Sequence, residues 1–501
     1  MRGETSRRWI LVAVVLGSAA VFLDSTVVNV ALPRIGRELP ATYVGVLEGQ
    51  SYVYNAYLLT LATLLIPAGA LGDHYGRRRI FGLGLAGFAL TSLFCGLAPS
   101  MEALIVARVL QGAAGALLVP GSLALIRANF EGEEQGRAIG TWAAASSATT
   151  LLGPLVAGLL VDTLSWRVAF LINLPVLALA AWALYRHTPE SRDEEAKGHL
   201  DWLGAAIAGL AVGGLSFGAI YGQQREWRGA AEYVALAVGA AAAVALPIEL
   251  SRSRTPLVPL SLFKSRDFTV VNLVTFVVYG ALYVSGYYMT LFLQGVLGYT
   301  AAGAGLSSIP GSVLLAVFSA RVGAVAVRYG VRLFMAGGAA VMALGVLWLA
   351  RAPMTSGAWR LQPGDLHSWI PPPGYLVDIF PSSLLFGAGL ALLVAPLTSA
   401  LMTSAPAANA GVASAVNNAI SRVGPQLGGA LVFIGVTALF RTHISDLRAS
   451  PMNPPPSGMS RALVNAASTD AFHLAAAFCA ALLLSGALIA VLGLRARPRP
   501  A

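Results

Sequence analysis

Long apolar stretches follow one another along this chain, each about the length of a membrane-crossing helix and separated by short polar turns. A spanning helix needs about 20 mostly apolar residues at a rise of about 1.5 Å each. By that rule the sequence predicts fourteen spans, at 9–32, 48–72, 79–98, 102–126, 137–162, 166–186, 200–222, 229–251, 268–294, 301–327, 331–351, 375–402, 409–440 and 470–494. The sharpest of the turns is Gly69-Ala-Leu-Gly-Asp-His-Tyr-Gly-Arg-Arg-Arg79, a tight basic link between spans 2 and 3. A degraded copy, Gly323-Ala-Val-Ala-Val-Arg-Tyr-Gly-Val-Arg332, links spans 10 and 11. Gly69/Gly323, Ala70/Ala324, Tyr75/Tyr329, Gly76/Gly330 and Arg78/Arg332 coincide at one offset without a gap. Self-similarity at half-molecule distance marks a duplicated membrane protein built from two related halves.

Composition agrees with a lipid environment. Charged residues make up 11% and hydrophobic ones 56%, against about 25% charged in soluble domains, and the mean hydropathy is +0.71. The net charge of +10 would suggest nucleic acid in a soluble protein, but here the cations sit in short loops, where they set topology. Of the 33 basic residues, 21 fall in loops on the side of the N-terminus, 10 on the opposite side, and two, Arg108 and Arg422, inside spans. The positive-inside rule and an even number of spans put both termini in the cytosol. Lysine occurs only at positions 197 and 264, a usage that fits a GC-rich bacterial genome and hence the bacterial cytoplasmic membrane. Cys95 and Cys479 lie inside apolar runs and read as small core residues. Residues 9–32 are too long for a cleaved signal and carry Asp24. The sequence shows no metal-ligand cluster, phosphate loop or nucleophile triad, so neither a cofactor nor an enzymatic activity is expected.

The repeat organises the rest. Residues 1–190 form an N-terminal six-helix half, 191–255 carry two inserted helices, and 256–501 form a C-terminal six-helix half. Residues 352–374 and 441–469, each with a Pro-Pro-Pro run, read as irregular external connectors.

The turn at Gly69, Leu71, Asp73, Gly76, Arg77 and Arg78 resembles the loop signature of the major facilitator superfamily, with His74 where that family prefers Arg or Lys. Twelve core spans plus two inserted ones resemble its fourteen-span drug:proton antiporters of EmrB/QacA type. Further segments are similar to that family: Leu23–Pro33 in span 1, Leu104-x-x-x-Arg108-x-x-Gln111-Gly112 in span 4, Gly153-Pro154-x-x-Ala157-Gly158 in span 5, Ser165-Trp166-Arg167 with Phe170–Pro175 at span 6, and Gly411-x-Ala413-Ser414 with Asn417, Asn418 and Arg422 in span 13. Thr149 and Ala157 depart from it, standing where the family usually has Gly. The resemblance implies an all-α fold of two six-helix halves and export driven by the proton gradient.

Asp24 is the one acidic residue placed deep in a span. It lies about 12 Å from the outer end of span 1, and Arg108 about 9 Å from the outer end of span 4. An ionisable group at that depth needs a partner or an aqueous cavity. The two are expected to meet, either as a proton-coupling pair or as a permanent ion pair that locks two helices. Arg422, about 20 Å into span 13, either reaches Asp378 of span 12 or faces an aqueous cavity.

Asp73 closes span 2, where a negative charge opposes its own helix dipole. The resemblance implies that it meets the N-terminus of span 13 near Asn409 and, with Gly76, Arg77 and Arg78, latches the cytosolic gate; a solvated turn is the alternative. Pro154 removes a backbone donor and is expected to kink span 5, with Gly153 beside it. Span 9 sets Phe276, Tyr279, Tyr283 and Tyr287 on one face, suited to packing or to flat lipophilic ligands. Tyr279 and Tyr283, with Trp142, Tyr57, Asn417, Asn418 and Arg422, are the candidate substrate-binding residues. Together these features predict proton-coupled efflux of small hydrophobic or amphipathic, drug-like compounds by a monomer in the lipid bilayer, without nucleic-acid partners. The alternatives are export of an endogenous lipid or secondary metabolite, import by symport, and a non-transporting membrane sensor.

Overall fold

In a computed structural model of the chain, residues 2–40, 46–192, 201–225, 227, 229–253, 255–362, 364–406, 409–446, 449–453, 455 and 458–495 are described. Their regular structure is helical, with no strand among them. Fourteen long helices follow in order: α1 (Arg2–Glu38), α2 (Val46–Tyr75), α3 (Arg77–Gly96), α4 (Met101–Asn129), α5 (Gly132–Thr163), α6 (Asn173–His187), α7 (Trp202–Gln224), α8 (Ala231–Arg252), α9 (Arg266–Leu291), α10 (Ile309–Tyr329), α11 (Val331–Leu349), α12 (Phe380–Ser404), α13 (Ala410–His443) and α14 (Arg461–Gly493). Thirteen of the expected spans are long and apolar enough among the described residues to cross a membrane. The remaining one is α5, whose 32 residues exceed the length a bilayer requires. The protein is a multi-pass membrane protein.

Several helices depart from simple rods. A short helix, Val168–Leu171, precedes α6, and another, Ala301–Ser307, precedes α10. Single π-helical turns end α9 at Phe292–Val296 and begin α12 at Tyr375–Ile379. The turn assigned to the repeat is present twice. Gly76 and Gly330 have φ of 109° and 94° with ψ of 125° and 129°, so the same left-handed corner joins α2 to α3 and α10 to α11. Glycine adopts this conformation without a Cβ penalty.

The residues group into two compact units: Met1–Tyr221, Trp227–Phe268 and Leu401–Ile420 in the first, and Gly222–Glu226, Thr269–Ala400 and Ser421–Ala501 in the second. In the first unit a buried cluster closes one end of the bundle: Val28, Ile35 and Leu39 of α1, Val53 of α2, Cys95 of α3, Met101 and Leu104 of α4, and Trp166 and Phe170 before α6. Trp166 Nε1 donates to Glu38 at 2.9 Å, and Arg167 donates to the carbonyls of Gly96 and Ala98 at 3.0 and 2.9 Å. The α3–α4 corner is thereby tied to the start of the α6 region. Helices α7 and α8 meet at Gly214 and Gly239, where a Cβ on Gly214 would lie 2.8 Å from the Gly239 Cα. Such small-residue crossings replace the hydrophobic drive that lipid removes. In the second unit, Phe292 at the end of α9 stacks on Phe472 of α14 with centroids 4.1 Å apart.

Candidate functional site

Asp24 on α1 and Arg108 on α4 form a salt bridge with both side chains completely buried. The depth matching read from the sequence brings them face to face. Around them is a polar network from five helices. Arg108 donates to the Gln111 side-chain oxygen at 2.7 Å and, through Nε, to the Val53 carbonyl of α2 at 3.1 Å. Gln111 Nε2 donates to the second Asp24 oxygen at 3.1 Å and to Ser92 of α3 at 2.9 Å. Asn173 at the start of α6 donates to the same Ser92 hydroxyl at 3.4 Å. Both Asp24 oxygens are thereby paired, while Arg108 Nη2 has no hydrogen-bond partner among the described residues; buried charges depend on such partners to be tolerated.

Gln111 and Asn173 belong to the sequence segments singled out above, but their shared partner Ser92 carries no sequence signal. The helix spacing of one short hydroxyl does not reveal which neighbours it meets.

Tyr57, expected among the substrate-binding residues, is fully buried and lies under Arg108, whose guanidinium carbon is 4.1 Å from the ring centroid. Its hydroxyl donates to the Val21 carbonyl at 3.0 Å. The phenol therefore serves as a cation–π platform for the ion pair. Trp142 is buried too, its Nε1 donating to Ser18 at 2.8 Å, and Ser18 in turn meets Ser122 of α4 at 2.6 Å. Gly153 of α5 packs on Thr26, two residues beyond Asp24, and a Cβ there would lie 2.9 Å from the Thr26 Cβ. Helix α5 continues past Pro154 without interruption; the Pro154 side chain lies outside the described residues.

The basic turn forms a second constellation. Arg77 meets Asp73 Oδ1 through Nε at 2.9 Å and through its terminal nitrogen at 2.8 Å, both side chains nearly buried. Asp73 Oδ2 abuts Gly411 in the first turn of α13: a Cβ on Gly411 would lie 2.6 Å from it. One turn earlier on α2, Gly69 faces Ala415, with 2.8 Å between a Gly69 Cβ and the alanine methyl. Asp73 thus sits at a helix N-terminus, where backbone N–H groups and the dipole favour negative charge.

Arg78 turns the other way, toward the end of α6, donating to the Tyr185 carbonyl at 3.1 Å and lying 5.3 Å from its ring centroid. Glu190, just after α6, accepts the backbone N–H groups of Arg78 and Arg79 at 3.0 and 3.1 Å, and Arg77 N donates to the Ser191 carbonyl at 2.8 Å. Glu190 is an N-terminal cap for α3 supplied from more than a hundred residues away. That long separation hides it from any local reading.

In the second unit, Tyr279 and Tyr283 of α9 lie with ring centroids 6.4 Å apart. Tyr283 and Tyr287 are exposed. Among the described residues Arg422 forms no ion pair with Asp378, so the first of the two readings of Arg422 is set aside. In the first unit, Asn417 is buried, and Asn418 donates to the Ser414 carbonyl at 2.9 Å.

The profile of the Major Facilitator Superfamily matches residues 14–429. The "Multidrug resistance protein Stp" of Mycobacterium tuberculosis is 36% identical over 454 residues, covering 88% of this chain and 79% of that one. The "Tetracenomycin C resistance and export protein" of Streptomyces glaucescens is 32% identical, with 89% and 78% covered. The "Multidrug efflux pump LfrA" of Mycolicibacterium smegmatis is 30% identical, with 95% and 90% covered. Among solved structures, the human organic anion transporter MFSD10 aligns with a TM-score of 0.61 at 15% identity, covering 97% of this chain and 99% of that one. At that identity the likeness concerns the fold.

Proposed function

This chain belongs to the major facilitator superfamily, and on that premise we propose that it exports small hydrophobic or amphipathic compounds in exchange for protons, by alternating access across the bacterial cytoplasmic membrane. The observation that carries this reading is the Asp24–Arg108 pair, two opposite charges wholly buried inside spans. A carboxylate held there by one guanidinium and one amide is a group that a proton can neutralise and release. The relatives named for multidrug resistance and efflux support the direction of transport.

In this reading Asp24 carries the proton and Arg108 holds it in register. Asp73, Gly76, Arg77 and Arg78 latch the cytosolic end against α13, and Gly153, which fits α5 closely to α1, serves the gate together with Pro154. Tyr279, Tyr283, Arg422, Asn417 and Asn418 contact substrate. Both termini face the cytosol, residues 191–255 form an inserted pair between halves at 1–190 and 256–501, and a monomer works without cofactor, using the proton gradient as its energy source. A second reading, export of a secondary metabolite, is favoured by the similarity to the tetracenomycin C protein.

Purified protein reconstituted in liposomes with a set pH gradient, offered a panel of neutral, cationic and acidic lipophiles, tests both. Gradient-dependent accumulation of lipophilic compounds is the expected result. Accumulation that ignores the proton gradient would sink the antiport reading.

A further inference from the structure

Gln111 stands between the two buried charges, and all four of its side-chain hydrogen-bonding positions are filled. Its amide nitrogen carries two protons and its oxygen two lone pairs. The nitrogen donates to Asp24 Oδ1 at 3.1 Å and to the Ser92 hydroxyl at 2.9 Å. The oxygen accepts from Arg108 Nη1 at 2.7 Å and from the Cys95 thiol at 3.4 Å. Half of these bonds go to the ion pair, and the other half to α3. Ser92 and Cys95 are three residues apart on that helix, hence on one face, and both are fully buried. Asn173 braces the first of them, donating to the same Ser92 oxygen at 3.4 Å. With both of its lone pairs taken, Ser92 meets the amide as an acceptor.

The order of these groups fixes which way round the amide sits. An acceptor on its nitrogen side and a donor on its oxygen side hold the N–H toward Asp24. Turned over, the amide would set its NH2 group against the Arg108 guanidinium, which has no acceptor, and against the thiol proton. That orientation matters to a carboxyl group that gains and loses a proton. A carboxylate accepts the Gln111 N–H, whereas a protonated Asp24 needs an acceptor for its own O–H, and this amide keeps its oxygen turned away. A hydrogen bond offered to the charged form favours that form.

We propose that Ser92 and Cys95 are positioning residues of the proton site: they lock the Gln111 amide and so favour release of the proton from Asp24. The consequence for transport rests on the antiport reading above; the lock itself does not.

Infrared difference spectroscopy of the full chain in lipid, titrated with acid, tests this. The carboxylic C=O band lost in Asp24→Asn reports protonation of that one residue. Ser92→Ala should move the midpoint of this band to higher pH by about one unit, and Cys95→Ala by about half a unit. Gln111→Met, which keeps the length of the side chain and removes the amide, should move it at least as far. Adding either alanine to Gln111→Met should then change nothing further, because both act through the amide. Unchanged midpoints in both alanine variants overturn the proposal, whatever their melting temperatures. Full-sized shifts that persist beside Gln111→Met also overturn it, since packing alone would produce them. Gradient-driven accumulation in wild-type liposomes is scored separately: its failure removes the antiport reading and leaves the midpoints to judge the lock.

Discussion

Asp73 Oδ2 occupies the space into which a methyl group on Gly411 would project, 2.6 Å from where that carbon would lie. The carboxylate that conflicts with the dipole of its own helix α2 is compensated by the N-terminus of α13. Gly411 is small because the acid needs its place. The relationship also explains why Gly69, one turn before, faces Ala415 so closely.

If this contact holds the cytosolic end shut, Gly411→Ala and Asp73→Asn should both loosen it. A charge at a helix N-terminus is worth about 1 kcal/mol, so the open population should rise roughly fivefold. Gly72 is buried, yet nothing lies within 4 Å of a Cβ placed there, which makes Gly72→Cys a quiet reporter. Its maleimide labelling should accelerate in both variants, and unchanged labelling would favour the solvated-turn reading of Asp73.

For coupling, Asp24→Asn should abolish gradient-driven loading of inverted vesicles while leaving downhill exchange of substrate intact. Preserved exchange is the control for folding. Continued accumulation against a gradient would place the proton site elsewhere.

The spans, their order and the repeated turn were legible in the chain because lipid demands about 20 apolar residues in a row and leaves charges only at the ends. The pairing of Asp24 with Arg108 was legible for a related reason: a rise of about 1.5 Å per residue turns two positions into two depths. What depth does not give is rotation about each helix axis. Tyr57 and Trp142 offer the same aromatic surface whether they line a pocket or support a neighbour, and packing turned both inward, onto Arg108 and Ser18. Ser92 and Glu190 were hidden because a hydroxyl or carboxylate declares its partner only once α3, α4 and α6 have assembled.

Glu190 should matter to the turn more than its surface position suggests. It accepts two of the orphan N–H groups at the start of α3, and loss of such a cap costs about 1 kcal/mol. Glu190→Ala should therefore speed amide exchange at residues 77–80 severalfold, while Glu190→Asp restores part of the protection. Identical exchange in wild type and Glu190→Ala would show that the Ser191 carbonyl and the helix itself suffice.

The final question is whether Arg108 tunes Asp24 or merely anchors it. Removing one partner of a buried ion pair costs about 3–5 kcal/mol, because the other charge is left uncompensated. Arg108→Ala should thus lower thermal stability, and a purely structural pair predicts nothing further. If the guanidinium also sets when the carboxylate gives up its proton, the surviving folded protein should fail to pump at neutral pH and recover partly in alkaline medium, where a carboxylate without its counter-ion can still ionise. Arg108→Lys retains the charge but loses the planar fork that reaches both Gln111 and the Val53 carbonyl, so it should keep reduced activity with a shallower loss of stability. The double variant Asp24→Asn/Arg108→Gln removes both charges together; it should regain most of the stability and none of the gradient-driven efflux. Efflux against pH, measured beside melting midpoints for all three, separates the roles: a flat profile in well-folded Arg108→Ala leaves the arginine as an anchor alone.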